Sequence, residues 1–217
     1  MKPWLSALLV LCAAPAFGHR LDEYLQATLI SVDKDRVHAQ ITLTPGIAVL
    51  PMVLAGIDSD RDGDLSDSEQ RAYAGRVLRD VSLSLDGNPL APRLLSMRFP
   101  GIAEMKEGRG GIQLEIMADL PRGGRHRKLV FENHHQEKIA AYLVNSLVPS
   151  DPDLRLLTQN RSYTQSYYEL DYVQTGLRLD WAIAAIAVLL GARFAWLLRK
   201  NRQAARLPHL SPDPTLP

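Results

Sequence analysis

The residues best suited to chemistry lie in one stretch of twelve, Asp58-Ser59-Asp60-Arg61-Asp62-Gly63-Asp64-Leu65-Ser66-Asp67-Ser68-Glu69. Carboxylates recur at every second position from Asp58 to Asp64, Ser66 continues the spacing, and Glu69 closes the run. The side chains in this set offer oxygen and no thiol or imidazole, which is the donor chemistry of hard cations. Without a cation, Asp58, Asp60, Asp62 and Glu69 would crowd together and repel one another. Gly63, in the middle, permits a sharp turn at positive φ that a side chain would oppose.

The flanks must hold such a loop. Leu50, Val53, Leu54 and Ile57 recur at helical spacing, and Pro51 is tolerable there in the first turn. Ser66-Asp67-Ser68-Glu69 has the form of a capping box for a second helix, whose apolar side is Tyr73, Ala74, Val77, Leu78 and Val81. A helix–loop–helix is therefore expected. Over residues 46–80 the pattern resembles the EF-hand calcium-binding family. That resemblance implies a Ca2+ ion with six to eight oxygen ligands near ~2.4 Å. Asp58, Asp60 and Asp62 would bind through their carboxylates and Asp64 through its backbone carbonyl. Ser66 would bind directly or through a water, and Glu69 would close the shell with both oxygens. Leu65 would be the inward apolar plug. EF-hands usually work in pairs, and no second loop exists here: Asp33-Lys34-Asp35 and Asp151-Pro152-Asp153 lack the glycine and the closing glutamate. A lone loop must lean on the rest of the domain, so a structural calcium is expected rather than a switch. Extracellular modules of this kind bind with Kd of about 10⁻⁴–10⁻³ M.

The ends of the chain imply export and anchoring. Residues 1–18 read as a secretory signal: Lys2, a short apolar run from Trp4 to Ala14, Pro15, then Ala16-Phe17-Gly18 at cleavage spacing. Residues 181–198 form an apolar segment of 18, near the lower limit for a spanning helix. Arg193 interrupts it near its end, within snorkelling reach of the interface. Arg199, Lys200, Arg202 and Arg206 follow it, whereas Glu169, Asp171 and Asp180 precede it. The positive-inside rule then places the tail 199–217 in the cytoplasm and residues 19–180 outside. In a bacterial cell this is a single-pass inner-membrane protein with a periplasmic domain.

The exported region alternates at period two. Val37, Ala39, Ile41 and Leu43 face one way, with residues 25–32 as hairpin partner across Asp33-Lys34-Asp35-Arg36. Val81, Leu83 and Leu85 run into an Asp86-Gly87-Asn88 turn. Residues 112–117, 128–132, 140–144 and 167–173 are further strands. The expected fold is mainly β: an antiparallel sandwich-like domain over 19–180 with the helix–loop–helix inserted, plus one C-terminal transmembrane helix.

Composition narrows the function classes. Hydrophobic residues are 46% of 217, enough for a core, and charged residues are 23%. Setting aside Lys2 in the signal leaves 24 basic against 24 acidic residues, so nucleic acid is not an expected partner. Cys12, the one cysteine, lies in the signal, and its removal excludes disulfides and thiol chemistry. His19 would become the new N-terminus, where an amine and an imidazole can chelate; an ordinary terminal residue is the reading favoured. His134 and His135, read as strand neighbours, point to opposite faces and do not share an ion. Arg122, Arg125, Arg127 and Lys128 form a basic turn, read as a solvated hairpin tip. Tyr163, Tyr167, Tyr168 and Tyr172 are either sheet residues or an interface belt. No catalytic constellation emerges, so the chain is not expected to be an enzyme.

His19-Arg20-Leu21-Asp22-Glu23-Tyr24-Leu25 and Tyr142-Leu143-Val144-Asn145 resemble the exported N-terminal region of bacterial membrane proteins grouped with the HupE/UreJ nickel-uptake family. The resemblance implies an accessory domain beside a transporter, since the one membrane segment here carries no charged residue except Arg193. The leading expectation is a calcium-stabilised binding or interaction protein at the outer face of the inner membrane. The alternatives are an accessory to nickel-type uptake, with a membrane-protein partner, and a hydrolase with structural calcium.

Overall fold

A computed structural model describes residues 22–175 and 185–196. The chain divides into two compact units after Thr175. The expected signal at 1–18, the tail at 199–217 and both ends of the segment 181–198 lie outside the described residues. Residues 185–196 are helical. Among the described residues no helix is long and apolar enough to cross a membrane.

The larger unit is mainly β. Its strands are β1 (Tyr24–Val32), β2 (Arg36–Pro45), β3 (Val81–Leu85), β4 (Asn88–Pro89), β5 (Arg93–Arg98), β6 (Ile112–Asp119), β7 (His126–Asn133), β8 (Ala140–Ser146), β9 (Leu154–Arg161) and β10 (Tyr167–Gln174). They form two five-stranded sheets, ordered β5-β6-β2-β1-β8 and β4-β3-β7-β10-β9. The alternation read from the sequence sets the inward face: Val37, Ala39, Ile41 and Leu43 of β2 are buried, as are Leu83 and Leu85 of β3. Both sheets feed one core, in which Ile30, Ile41 and Leu114 meet Leu129, Phe131, Tyr168 and Leu170.

One expectation needs correction, and two features the sequence left open are resolved. The sheets are not wholly antiparallel, because β8 pairs with β1 in parallel, Tyr24 opposite Ala140. Two strands without a usable apolar pattern, β5 and β9, are present; both are edge strands, and edge position leaves them mostly exposed. Of the four tyrosines, Tyr168 and Tyr172 belong to the core, whereas Tyr163 is fully exposed between β9 and β10.

Helices α1 (Leu50–Ile57) and α2 (Asp67–Asp80) stand between β2 and β3 as expected, and a one-turn α3 (Ile102–Lys106) follows β5. Pro51 sits in the first turn of α1, where its missing N–H costs nothing. Val53 and Ile57 of α1 and Tyr73, Ala74 and Val77 of α2 enter the common core. Arg76 of α2 donates to the carbonyl of Gly56, joining the two helices.

Strand direction gives the domain two poles. The insertion leaves β2 at Pro45, beside Tyr24 at the start of β1, and rejoins at Val81, opposite Asn133 at the end of β7. The β1–β2 turn, the β6–β7 turn and the β8–β9 loop lie at the other pole: Leu120 donates to Asp35, Leu147 to Ile30 and Gln174 to Arg125. Strands of 8–10 residues at ~3.3 Å each separate the poles by about 25–30 Å.

Candidate metal centre and its supporting network

The acidic loop is built from its own backbone. Asp62 N–H donates to Asp60 Oδ1 at 3.3 Å, Gly63 N–H to Asp58 Oδ2 at 3.3 Å and Asp64 N–H to Asp62 Oδ1 at 2.9 Å. These local Asx-type bonds curl the chain. Gly63 takes the turn at φ +86°. Ser66 caps α2, and the reciprocal box with Glu69 is complete. Leu65 is half-buried and packs on the core.

Oxygen atoms of Asp58, Asp60 and Glu69 lie within 4.8 Å of one another. Asp62, Asp64 and Ser66, the remaining predicted ligands, are exposed in the same turn, and the cluster does not include them. Glu69 is buried. Its Oε1 accepts from Ser59 N–H at 2.6 Å and Ser59 Oγ at 2.9 Å; its Oε2 accepts from Ser66 N–H at 3.0 Å and Ser66 Oγ at 2.8 Å. These donors, Ser66 foremost, hold its carboxyl down at about 2, so it is ionised at neutral pH. Both of its oxygens are engaged by donors, so a cation taking both must displace some of them; those from Ser59 lie outside the helix cap.

One atom has no such satisfaction. Asp58 Oδ1 is buried and has no hydrogen-bond partner; the hydroxyl of Tyr172, in the core, is the other such atom among the described residues. An orphaned buried carboxylate oxygen is costly. Asp58 belongs to the cluster in which one oxygen of each of three acids lies within 4.8 Å of the others, an all-oxygen donor set of the kind hard cations take. The three residues could hold a metal ion. Bound there, the ion would neutralise the mutual repulsion of the carboxylates and tie the end of α1 to the start of α2.

The domain supports this loop through a network that the sequence did not disclose. Tyr73, one turn beyond Glu69 on α2, shares a 2.7 Å hydrogen bond with Tyr24 of β1 and a 3.0 Å bond with His135 Nε2. His135 Nδ1 lies 2.7 Å from Asp80 at the end of α2. A carboxylate can only accept, so Nδ1 carries the proton. Nε2 then accepts from Tyr73, and Tyr73 accepts from Tyr24, which satisfies every atom. The His135 carbonyl accepts from Gln26 and Tyr142, its N–H donates to Asn133, and Asn133 donates to Gln26. Helix α2 is thereby fixed to β1, to β8 and to the turn after β7. Tyr24 and Tyr142, which carry part of the second resemblance, both join this network. His134 and His135 follow β7 rather than lying in it. His134 is exposed against Glu137, and the two rings do not converge.

Burial pushes the His135 imidazole below its ordinary value, outweighing the pull of Asp80. The unfolded chain therefore takes this proton first as pH falls. Stability from His135 is fully present above pH ~6.5 and declines below it, by at most about 1.4 kcal/mol per pH unit. His134, raised by Glu137, acts in the opposite direction, so the comparison must be with a His135 variant. Urea midpoints of the parent are expected to drop between neutral pH and pH 5 more than those of His135→Gln. Equal drops would contradict the network's neutral histidine.

No protein-family model matches the chain, and no curated protein matches it either.

Proposed function

We propose that the chain is an exported, membrane-anchored binding protein whose β domain is stabilised by one Ca2+ held by residues 58–69 in an EF-hand arrangement. The observations that carry this reading are the cluster of Asp58, Asp60 and Glu69, one oxygen of each within 4.8 Å of the others, and the buried, unpartnered Oδ1 of Asp58. The ligands would be Asp58, Asp60, Asp62, Asp64 through its carbonyl, Ser66 and Glu69. The role is structural: the loop's two helices bury their apolar faces in the common core, and α2 is bolted at its far end by Asp80 and His135. Such an arrangement leaves little freedom for the helices to swing open on ion binding.

Export and anchoring rest on residues 1–18 and 181–198. Reporter fusions should place residue 170 outside the cytoplasm and residue 210 inside. A chain ending at Thr175, where the larger unit ends, should be released as soluble protein after export. Retention of that chain in the membrane once its signal is removed would contradict the single anchor.

A further inference from the structure

The sheet β5-β6-β2-β1-β8 carries a depression of about 660 Å³ over its last three strands, within the roughly 300–1,000 Å³ of small-molecule sites. Strand register builds it. Leu143, Ala27 and Thr42 lie opposite one another in one row, and Asn145, Leu29 and Gln40 in the next. Their neighbours Gln26, Thr28 and Ile30 along β1 are buried, so the alternation turns these rows to the outer face. Ala27 is the smallest side chain of its row and leaves room between Leu143 and Thr42. Leu29 and Leu143, 36% and 47% exposed, give the depression an apolar side.

Two residues of the other sheet line the same depression from beyond the β8 edge: Arg161 at the end of β9 and Gln165 in the β9–β10 turn. Arg161 Nε donates to the Val144 carbonyl at 2.8 Å, and its Nη2 donates to Asn145 Oδ1 and Gln159 Oε1, both at 2.9 Å. The guanidinium also stands 5.2 Å over the Tyr168 ring, so it is held in place. These acceptors are all neutral, and among the described residues Nη1 has no acceptor and no carboxylate pairs with Arg161. Asn145 Oδ1 accepts from Ser146 N–H as well, and Gln165 Oε1 accepts from Val144 N–H at 3.3 Å. The two amide oxygens are therefore used within the protein, which leaves the amide NH2 groups as the open ends. No acid lines the depression.

We propose that this depression binds a small carboxylate with an apolar body. Arg161 Nη1 and the amide donors would hold the carboxylate through charge-assisted hydrogen bonds, and the apolar body would lie over Ala27 against Leu29 and Leu143. An organic cation would meet like charge here. A polyol would need acceptors as well as donors, and those of Asn145 and Gln165 are already engaged. Neither the acidic loop nor the anchor takes part.

The test titrates the full chain with hexanoate and follows saturation transfer to the methyl protons of the ligand. Hexanol and hexylamine, with the same chain and a neutral or cationic head, are the comparison probes. Hexanoate is expected to bind saturably, about tenfold or more tighter than hexanol, and hexylamine not to bind. Arg161→Gln should weaken hexanoate by a similar factor. Asn145→Asp should do the same while leaving the fold intact, because the new carboxylate keeps the acceptor role toward Arg161 and Ser146 yet neutralises the guanidinium. Should Arg161→Gln fail to fold, Asn145→Asp decides. No saturable binding of hexanoate, hexanol binding as tightly as hexanoate, or hexanoate binding undiminished in Asn145→Asp would each overturn the proposal.

Discussion

Calcium at a hundredfold excess over its Kd, about 10–100 mM for a Kd of about 10⁻⁴–10⁻³ M, is expected to raise the melting temperature of the exported domain by about 5–10 °C over its value in EDTA. A ligand that binds only the folded state adds RT ln(1 + [L]/Kd), about 2.7 kcal/mol at a hundredfold excess over Kd, and for a domain of this size each kcal/mol is worth roughly 2–4 °C. The effect should be cooperative across the domain, because the loop is continuous with α1 and α2 and both helices are part of the common core. Glu69→Ala should abolish most of the shift by removing two oxygens at once. It also breaks the capping box, so the variant is expected to melt lower than the parent even in EDTA. The calcium-dependent increment is therefore the diagnostic quantity. Asp67→Asn should leave that increment unchanged, because Asp67 is not one of the converging acids and its exposed carboxylate lies 4.0 Å from Arg71. Magnesium should substitute poorly, since it demands a tighter octahedral shell.

Tyr73→Ala is expected to be the most damaging single substitution of the helical insertion, costing about 3–5 kcal/mol. The ring is 1% exposed, packs edge-on to Phe99 and His135, and lies under Arg76 at 5.2 Å. Burial also pushes its hydroxyl up to about 12, so it stays protonated and can donate to His135 at all ordinary pH values. Tyr73→Phe separates the two contributions. It keeps the packing but strands the Tyr24 hydroxyl and His135 Nε2, each of which lost its partner, for about 1–3 kcal/mol. Urea unfolding would measure both. An alanine variant within about 1 kcal/mol of the parent would mean that α2 is not held through this residue.

The loop and its helices were legible because each depends on local rules. A capping box, a proline in a first turn and a glycine at positive φ are each specified within a few residues. The inner strands were legible for a similar reason: β2, β3 and β6 each bury one face, so hydrophobicity alternates along the chain. The β5 and β9 strands escaped because an edge strand exposed on both sides has no face to mark. The parallel pairing of β8 with β1 escaped because register between strands more than a hundred residues apart is set by the whole sheet. His135 shows the same limit at a single residue. The sequence reads it as a strand neighbour of His134 facing the other way, yet it follows the strand and its ring is placed by Asp80 and Tyr73 from α2 and by Tyr24 from β1. Nothing in the local sequence joins those residues, and the buried polar cluster becomes visible only when the helix is docked.

Equilibrium dialysis of the processed, exported protein against radioactive calcium tests the central claim most directly. One ion per chain is predicted, with a Kd of about 10⁻⁴–10⁻³ M, unchanged by Asp67→Asn and lost in Glu69→Ala. Binding of no ion across that concentration range, or binding that persists undiminished in a folded Glu69→Ala protein, would show that residues 58–69 form an acidic turn and hold no calcium.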